Sequence, residues 1–135
     1  DLKIEKGKLT VFNEENLFAP VSSGSHKVDA MIVIPCSMKT LSGIAHGYAN
    51  NLVERSADVM IKEGRTLILV PRETPLNTIH LRNMLTLSEI GVKIIPAMPG
   101  FYNHPKKIED LANFIVGKVL DSLSIENTIY RRWKT

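Results

Sequence analysis

The sequence predicts an α/β fold, with a mostly parallel sheet covered by helices on both faces. Three observations predict it. Short apolar runs rich in β-branched residues (28–35, 66–70 and 92–95) alternate with longer stretches patterned at helical spacing. Each run stops at a proline: Pro35, Pro71 or Pro96. The runs are continuous rather than alternating, as strands buried on both faces are. Strand, helix, strand in succession implies right-handed crossovers and parallel pairing.

Leu2, Ile4, Leu9 and Val11 alternate with polar residues around Lys6-Gly7 and read as one or two short edge strands. Residues 13–27 are polar, carry Ser22-Ser23-Gly24-Ser25, and read as a loop. Val28 to Pro35 reads as a buried strand. Leu41 to Glu63 reads as one long helix with Leu41, Ile44, Ala45, Tyr48, Ala49, Leu52, Val53, Ala57, Met60 and Ile61 inward, stopped by Gly64. Thr66 to Val70 is the second strand. Asn77 to Ile90 is a second helix with Ile79, Leu81, Leu85 and Ile90 inward, ended by Gly91. Val92 to Ile95 is the third strand, and a loop with Pro99-Gly100-Phe101-Tyr102 follows. The last helix runs from about Lys106 to Leu123, with Ile108, Leu111, Ala112, Ile115, Val119 and Leu123 inward.

With 135 residues and 44% hydrophobic content, the chain can form one compact domain over 1–135. The net charge of +3 is mild, and Lys and Arg are spread along the chain except in Tyr130-Arg131-Arg132-Trp133-Lys134. A nucleic-acid footprint needs a clustered basic face, so a small anionic ligand explains the cations better. The single cysteine, Cys36, excludes an intrachain disulfide and fits a reducing, cytoplasmic setting. No apolar run reaches the ~20 residues that span a bilayer.

In a parallel sheet ligands sit beyond the carboxyl ends of the strands. The polar segments Cys36 to Thr40, Arg72-Glu73-Thr74 and Phe101-Tyr102 each follow such an end. Ser37 and Thr40 flank a helix start, where an anion is welcome; capping alone would also explain them. An arginine at Arg72 can hold a phosphate by two parallel bonds. A glutamate beside it, Glu73, makes sense beside a phosphate as a proton relay, since like charges would otherwise repel; a surface ion pair of little energetic consequence would also explain Arg72 and Glu73. Arg55 and Lys62 lie seven residues apart on one helix face, a spacing that a solvated face also produces. From the residues alone Tyr102 reads as a packing aromatic before a ligand, Lys118 as a solvent-facing residue, and Cys36 as a small buried hydrophobe before a nucleophile. His26, His46, His80 and His104 are scattered without metal-ligand spacing.

Together these residues resemble the flavin prenyltransferase family (UbiX/Pad type). The matching stretches are Ser23-Gly24-Ser25, Ile34-Pro35-Cys36-Ser37-Met38-Lys39-Thr40-Leu41, Asn50-Asn51-Leu52, Arg55-Ser56-Ala57-Asp58-Val59 and Lys62-Glu63. They continue through Val70-Pro71-Arg72-Glu73-Thr74-Pro75-Leu76, Ile79-His80-Leu81-Arg82-Asn83-Met84-Leu85, Pro99-Gly100-Phe101-Tyr102 and Arg131-Arg132-Trp133.

The resemblance implies a Rossmann-like, flavodoxin-like three-layer α/β/α sandwich. It implies a homododecamer that joins a dimethylallyl group from dimethylallyl monophosphate to N5 and C6 of reduced FMN, without a metal. The product would serve a UbiD-type decarboxylase. By position, Ser37, Met38, Lys39, Thr40 and Arg72 would contact FMN. Ser23, Gly24, Arg55, Lys62, Arg72, Glu73, Tyr102 and Lys118 would surround the prenyl phosphate, with Glu73, Lys62 and Arg55 as the catalytic set. Trp133 would pack at a subunit interface.

The family opens with a strand and a Gly-rich Thr-Gly-Ala-Ser-Gly turn that cradles the FMN phosphate. No such turn occurs in these residues, so the chain is expected to correspond to the C-terminal two-thirds of the family domain. Two other readings stay open: an FMN-dependent decarboxylase of the same fold, and a non-catalytic flavin-binding subunit. The first wants a catalytic histidine, and the Arg72-Glu73 and Tyr102 matches oppose it; the missing turn would favour the second.

Overall fold

The three apolar runs form three strands: β1 (Ala30–Cys36), β2 (Thr66–Pro71) and β3 (Lys93–Ile94). They pair in parallel in the order β1-β2-β3. This is a computed structural model, and it describes residues 8–133. Between the strands lie α1 (Met38–Ala45), α2 (Leu52–Lys62) and α3 (Thr78–Glu89); α4 (Ile108–Ser122) follows β3. A 3-10 turn, Pro20–Ser22, precedes β1.

Alternation along β2 sorts its side chains into two cores. Leu67 and Leu69 face Leu41, Ile44, Ala57, Met60 and Leu87 of α1, α2 and α3. Ile68 and Val70 face Ile115 and Val119 of α4. The result is a three-layer α/β/α sandwich of the Rossmann-like, flavodoxin-like type.

Several expectations change. The predicted helix from Leu41 to Glu63 is two helices. Its first part starts at Met38 and ends at Ala45, where Gly47 turns the chain with φ +70°. A left-handed residue of this kind ends a helix readily. The chain restarts at Asn51, whose side chain accepts from the Glu54 N–H at 2.8 Å. The Glu54 carboxylate, 4% exposed, accepts from the Asn50 N–H at 3.0 Å. These reciprocal caps fix the second start. Tyr48, expected inward, lies in the break and is exposed.

On α3 the inward side is also different. Ile79, Leu81, Leu85 and Ile90 are exposed, while Asn83 and Leu87 are buried and Met84 packs beside them. The four predicted residues do not form one stripe; 83, 84 and 87 do. On α4, Ile108 and Ala112 are exposed, and Ile108 is 85% so. The helix begins there, not at Lys106, because the Asp110 carboxylate caps the Lys106 and Lys107 N–H groups.

β1 is not buried on both faces: Ile32 is 37% and Ile34 48% exposed. α4 covers β2 and leaves that side of β1 open. β1 also runs past Pro35 to Cys36, with a register shift after Val33. Of the predicted edge strands, Leu2, Ile4 and Lys6-Gly7 lie outside the described residues; Leu9 and Val11 are exposed and in no strand.

Candidate functional site

β1 hands over to α1 at Ser37, which is extended and caps the helix. Its Oγ accepts from the Thr40 N–H at 3.2 Å, and Ser37 Oγ donates to Thr40 Oγ1 at 3.1 Å. β2 ends on Pro71, so Arg72 and Glu73 emerge beside this turn. Ser37, Thr40, Arg72 and Glu73 line one cavity of about 350 Å³ at the carboxyl ends of β1 and β2. Val33, Pro35 and Val53 give it an apolar wall. Hydroxyls, a guanidinium and a carboxylate around such a wall suit a ligand with a flat apolar body and polar edges, as a flavin has.

Met38 and Lys39 sit differently from their neighbours. The Met38 side chain packs in the α1–α2–α3 core, so α1 offers its backbone there and not its thioether. Lys39 is exposed on the first turn of α1. Cys36 is buried and also borders the cavity. Burial pushes its thiol up to about 11, against a weaker lowering by a backbone hydrogen bond from Leu41. A thiol held neutral is a poor nucleophile, in keeping with the packing role expected for it.

A second group gathers where loop 22–26 meets α2. Arg55 Nε donates to the Ser22 carbonyl at 3.1 Å, and its Nη1 pairs with Asp58 at 3.0 Å. Lys62 Nζ pairs with Glu63 at 3.1 Å. Gly24 rests directly against this pair; a Cβ there would overlap the Glu63 carboxylate and reach 3.1 Å from Lys62 Nζ. Ser23 Oγ shares a hydrogen bond with Ser25 Oγ at 2.8 Å.

The third group is aromatic. Tyr102 packs edge-on against Phe114 of α4 (6.0 Å between centroids) and against Trp133 of the tail (5.2 Å). Lys118 Nζ lies 5.7 Å from the Phe114 centroid and 5.6 Å from that of Tyr130, a cation–π arrangement. Asp121, one turn on, binds Arg132 through two bonds (2.6 and 3.0 Å), the Tyr130 hydroxyl (2.5 Å) and Asn127 (2.8 Å). Arg132 first, then Tyr130, hold its carboxyl well below the usual carboxylate range.

Two of the three strand tips therefore share a cavity, and the third does not line it. β3 is only two residues long, and the chain after it turns toward α4, carrying Tyr102 there. The sequence reading missed Glu14, which borders the cavity because its carbonyl accepts from the Leu52 N–H at 2.6 Å, at the start of α2. It also missed Asp121. A loop acid has no periodic signal, and only the spacing of Asp121 from Lys118 could have drawn attention to it.

Among the described residues no three His, Cys, Asp or Glu side chains gather as a metal site would require. No described helix is long and apolar enough to cross a membrane.

Residues 2–120 match the protein family described as Flavoprotein. The chain is 58% identical over 127 residues to the flavin prenyltransferase UbiX of Alkalihalophilus pseudofirmus, covering 94% of this chain and 64% of that protein. It is 50% identical over 133 residues to the flavin prenyltransferase UbiX of Methanocaldococcus jannaschii, covering 98% of this chain and 72% of the relative. Among solved structures, a dodecameric FMN-dependent UbiX-like decarboxylase from Escherichia coli O157:H7 superposes with a TM-score of 0.89 at 56% identity, covering 92% of this chain and 67% of that one. AnUbiX (PadA1), in complex with FMN and dimethylallyl pyrophosphate, also gives 0.89, at 49% identity, covering 92% and 66%. The chain thus spans roughly two thirds of the relatives that it matches. It belongs to the Flavoprotein family, among the UbiX-type flavin prenyltransferases.

Proposed function

We propose that the protein is a flavin prenyltransferase that joins a dimethylallyl group from dimethylallyl monophosphate to N5 and C6 of reduced FMN. One observation carries the reading: Ser37, Thr40, Arg72 and Glu73 line a single cavity at the carboxyl ends of two parallel strands. The likeness to AnUbiX, whose structure holds FMN and dimethylallyl pyrophosphate, supports it. Bound reduced FMN supplies the nucleophilic ring positions.

The chain's own residues bind, orient and move a proton. Ser37, Met38, Lys39, Thr40 and Arg72 hold the flavin, Met38 through its backbone. Arg72 also takes the prenyl phosphate, together with Ser23, Gly24, Arg55, Lys62, Tyr102 and Lys118. Cations there stabilise the charge that develops as the C–O bond breaks. Glu73 passes a proton to the departing phosphate. An apolar wall and bound ligands exclude water from the reacting carbon.

Ser23, Gly24, Arg55 and Lys62 form one cluster and Tyr102 and Lys118 another, so we place the complete site between copies of a homododecamer. The exposed Ile79, Leu81, Leu85 and Ile90 of α3 supply apolar surface for such an assembly. We place the 135 residues within one flavoprotein domain that acts in the cytoplasm, and its product passes to a UbiD-type decarboxylase.

The test is anaerobic incubation with reduced FMN and dimethylallyl monophosphate, followed by mass spectrometry of the flavin. A flavin heavier by one prenyl unit is expected, and unchanged flavin from full-length, folded protein rejects the reading. Parallel incubation with the diphosphate identifies the donor. The decarboxylase name of the E. coli relative favours a second reading, which carbon dioxide release from a carboxylic acid without flavin alkylation would support. Flavin that binds but is neither alkylated nor used would indicate a non-catalytic subunit.

A further inference from the structure

Loop 22–26 carries Ser23 and Gly24 and beyond the 3-10 turn has no regular structure, yet three of its carbonyls are held by arginines. Arg55 Nε takes that of Ser22. Arg65 takes the other two: Nη2 donates to the Gly24 carbonyl at 2.6 Å and Nη1 to the His26 carbonyl at 2.8 Å. One planar fork thus spans two carbonyls two residues apart, a geometry that an ammonium cannot reproduce.

Arg65 is itself anchored. Gly64, at φ +64°, turns the chain out of α2, and the Arg65 N–H donates to the Met60 carbonyl at 2.8 Å. The next residue, Thr66, opens β2. The guanidinium therefore ties the loop to the junction between α2 and the central strand. On its other side, Gly24 is pressed against Lys62 and Glu63.

We propose that Arg65 is a positioning residue. It fixes the Ser23-Gly24 backbone beside Arg55 and Lys62, so that a phosphate meets donors already in place. The role rests on the prenyltransferase reading, under which Ser23, Gly24, Arg55 and Lys62 bind the prenyl phosphate. Donors held in place before binding cost no ordering when the ligand arrives, so a loosened loop weakens binding.

The experiment compares wild type, Arg65→Lys, and Arg65→Gln, the last a shorter, neutral side chain without the fork. Hydrogen exchange of the peptide covering 22–27 is measured without ligand. KM and kcat are measured with dimethylallyl monophosphate and reduced FMN. Val59→Ala, a core change on α2, is the control for general loosening. In both Arg65 variants the loop is expected to exchange faster while β2 keeps its protection. KM for the prenyl phosphate should rise about tenfold, with kcat within about twofold. Val59→Ala should lower the melting temperature and move neither the loop nor KM.

Loop exchange that stays at the wild-type rate in a folded Arg65 variant overturns the clamp. A loosened loop with unchanged KM overturns its link to the phosphate. If wild type alkylates no flavin, the functional reading fails, and calorimetric titration with dimethylallyl monophosphate takes the place of KM. Phosphate binding that is equal in wild type and variant, or absent from both, then overturns the positioning role.

Discussion

Glu73 borders the cavity beside Arg72, and under the proposed function its carboxyl hands a proton to the leaving phosphate. Glu73→Gln keeps the shape and removes the proton. We expect kcat to fall by about 10²-fold or more, with the FMN dissociation constant unchanged, as flavin titration and stopped assays would show. Cys36 borders the same cavity and behaves in the opposite way. Its thiol is raised from 9.0 to about 11 by burial, so the native state keeps a proton that the unfolded chain releases. Stability should be unaffected by this group below pH 9 and should decline as pH rises from 9 toward 11. Urea midpoints across that window should fall more in wild type than in Cys36→Ala. A thiol reagent at pH 8 should label Cys36 only when the protein unfolds.

At the scale of elements, strand tips were legible and helix faces were not. Prolines after apolar runs are local signals, and they located Ser37 and Arg72 at the correct end of the sheet. The break between α1 and α2 depends on Gly47 taking φ +70° and on Glu54 turning back to Asn50, a pairing that no periodic pattern encodes. The inward side of α3 was misread because apolar residues stand on both of its sides, and only tertiary contact decides between them. The tail was illegible for a similar reason. Its anchor is Asp121, which gathers Arg132, Tyr130 and Asn127. Gly117 makes room for the Tyr130 ring, and a Cβ there would overlap it.

Trp133 is the only tryptophan, so its fluorescence reports the tail. Asp121→Asn should shift Trp133 emission to the red as the contact with Tyr102 is lost. Because the Asp121 carboxyl is held low, wild type should keep the docked spectrum at neutral and mildly acid pH. It should lose that spectrum only as pH falls below ~4, the usual aspartate value, toward the depressed one. An emission maximum that is the same in both proteins at pH 7 would count against the latch.

For the whole molecule, the described sheet leaves β1 with one neighbour and with Ile32 and Ile34 partly bare. α3 presents Leu81 and Leu85 to solvent. Leu85→Glu places a charge on that apolar surface. We expect light scattering to show a smaller assembly, with the circular dichroism of the fold retained. The rim holding Arg72 and Glu73 is the outlet of β2, whose Leu67, Leu69 and Val70 are almost wholly enclosed. Heat that melts β2 should therefore abolish turnover as well, because the rim is continuous with that buried strand. Under the proposed function, the loops that carry Ser23 and Tyr102 lie outside that enclosed strand, and a change of prenyl donor would fall to them.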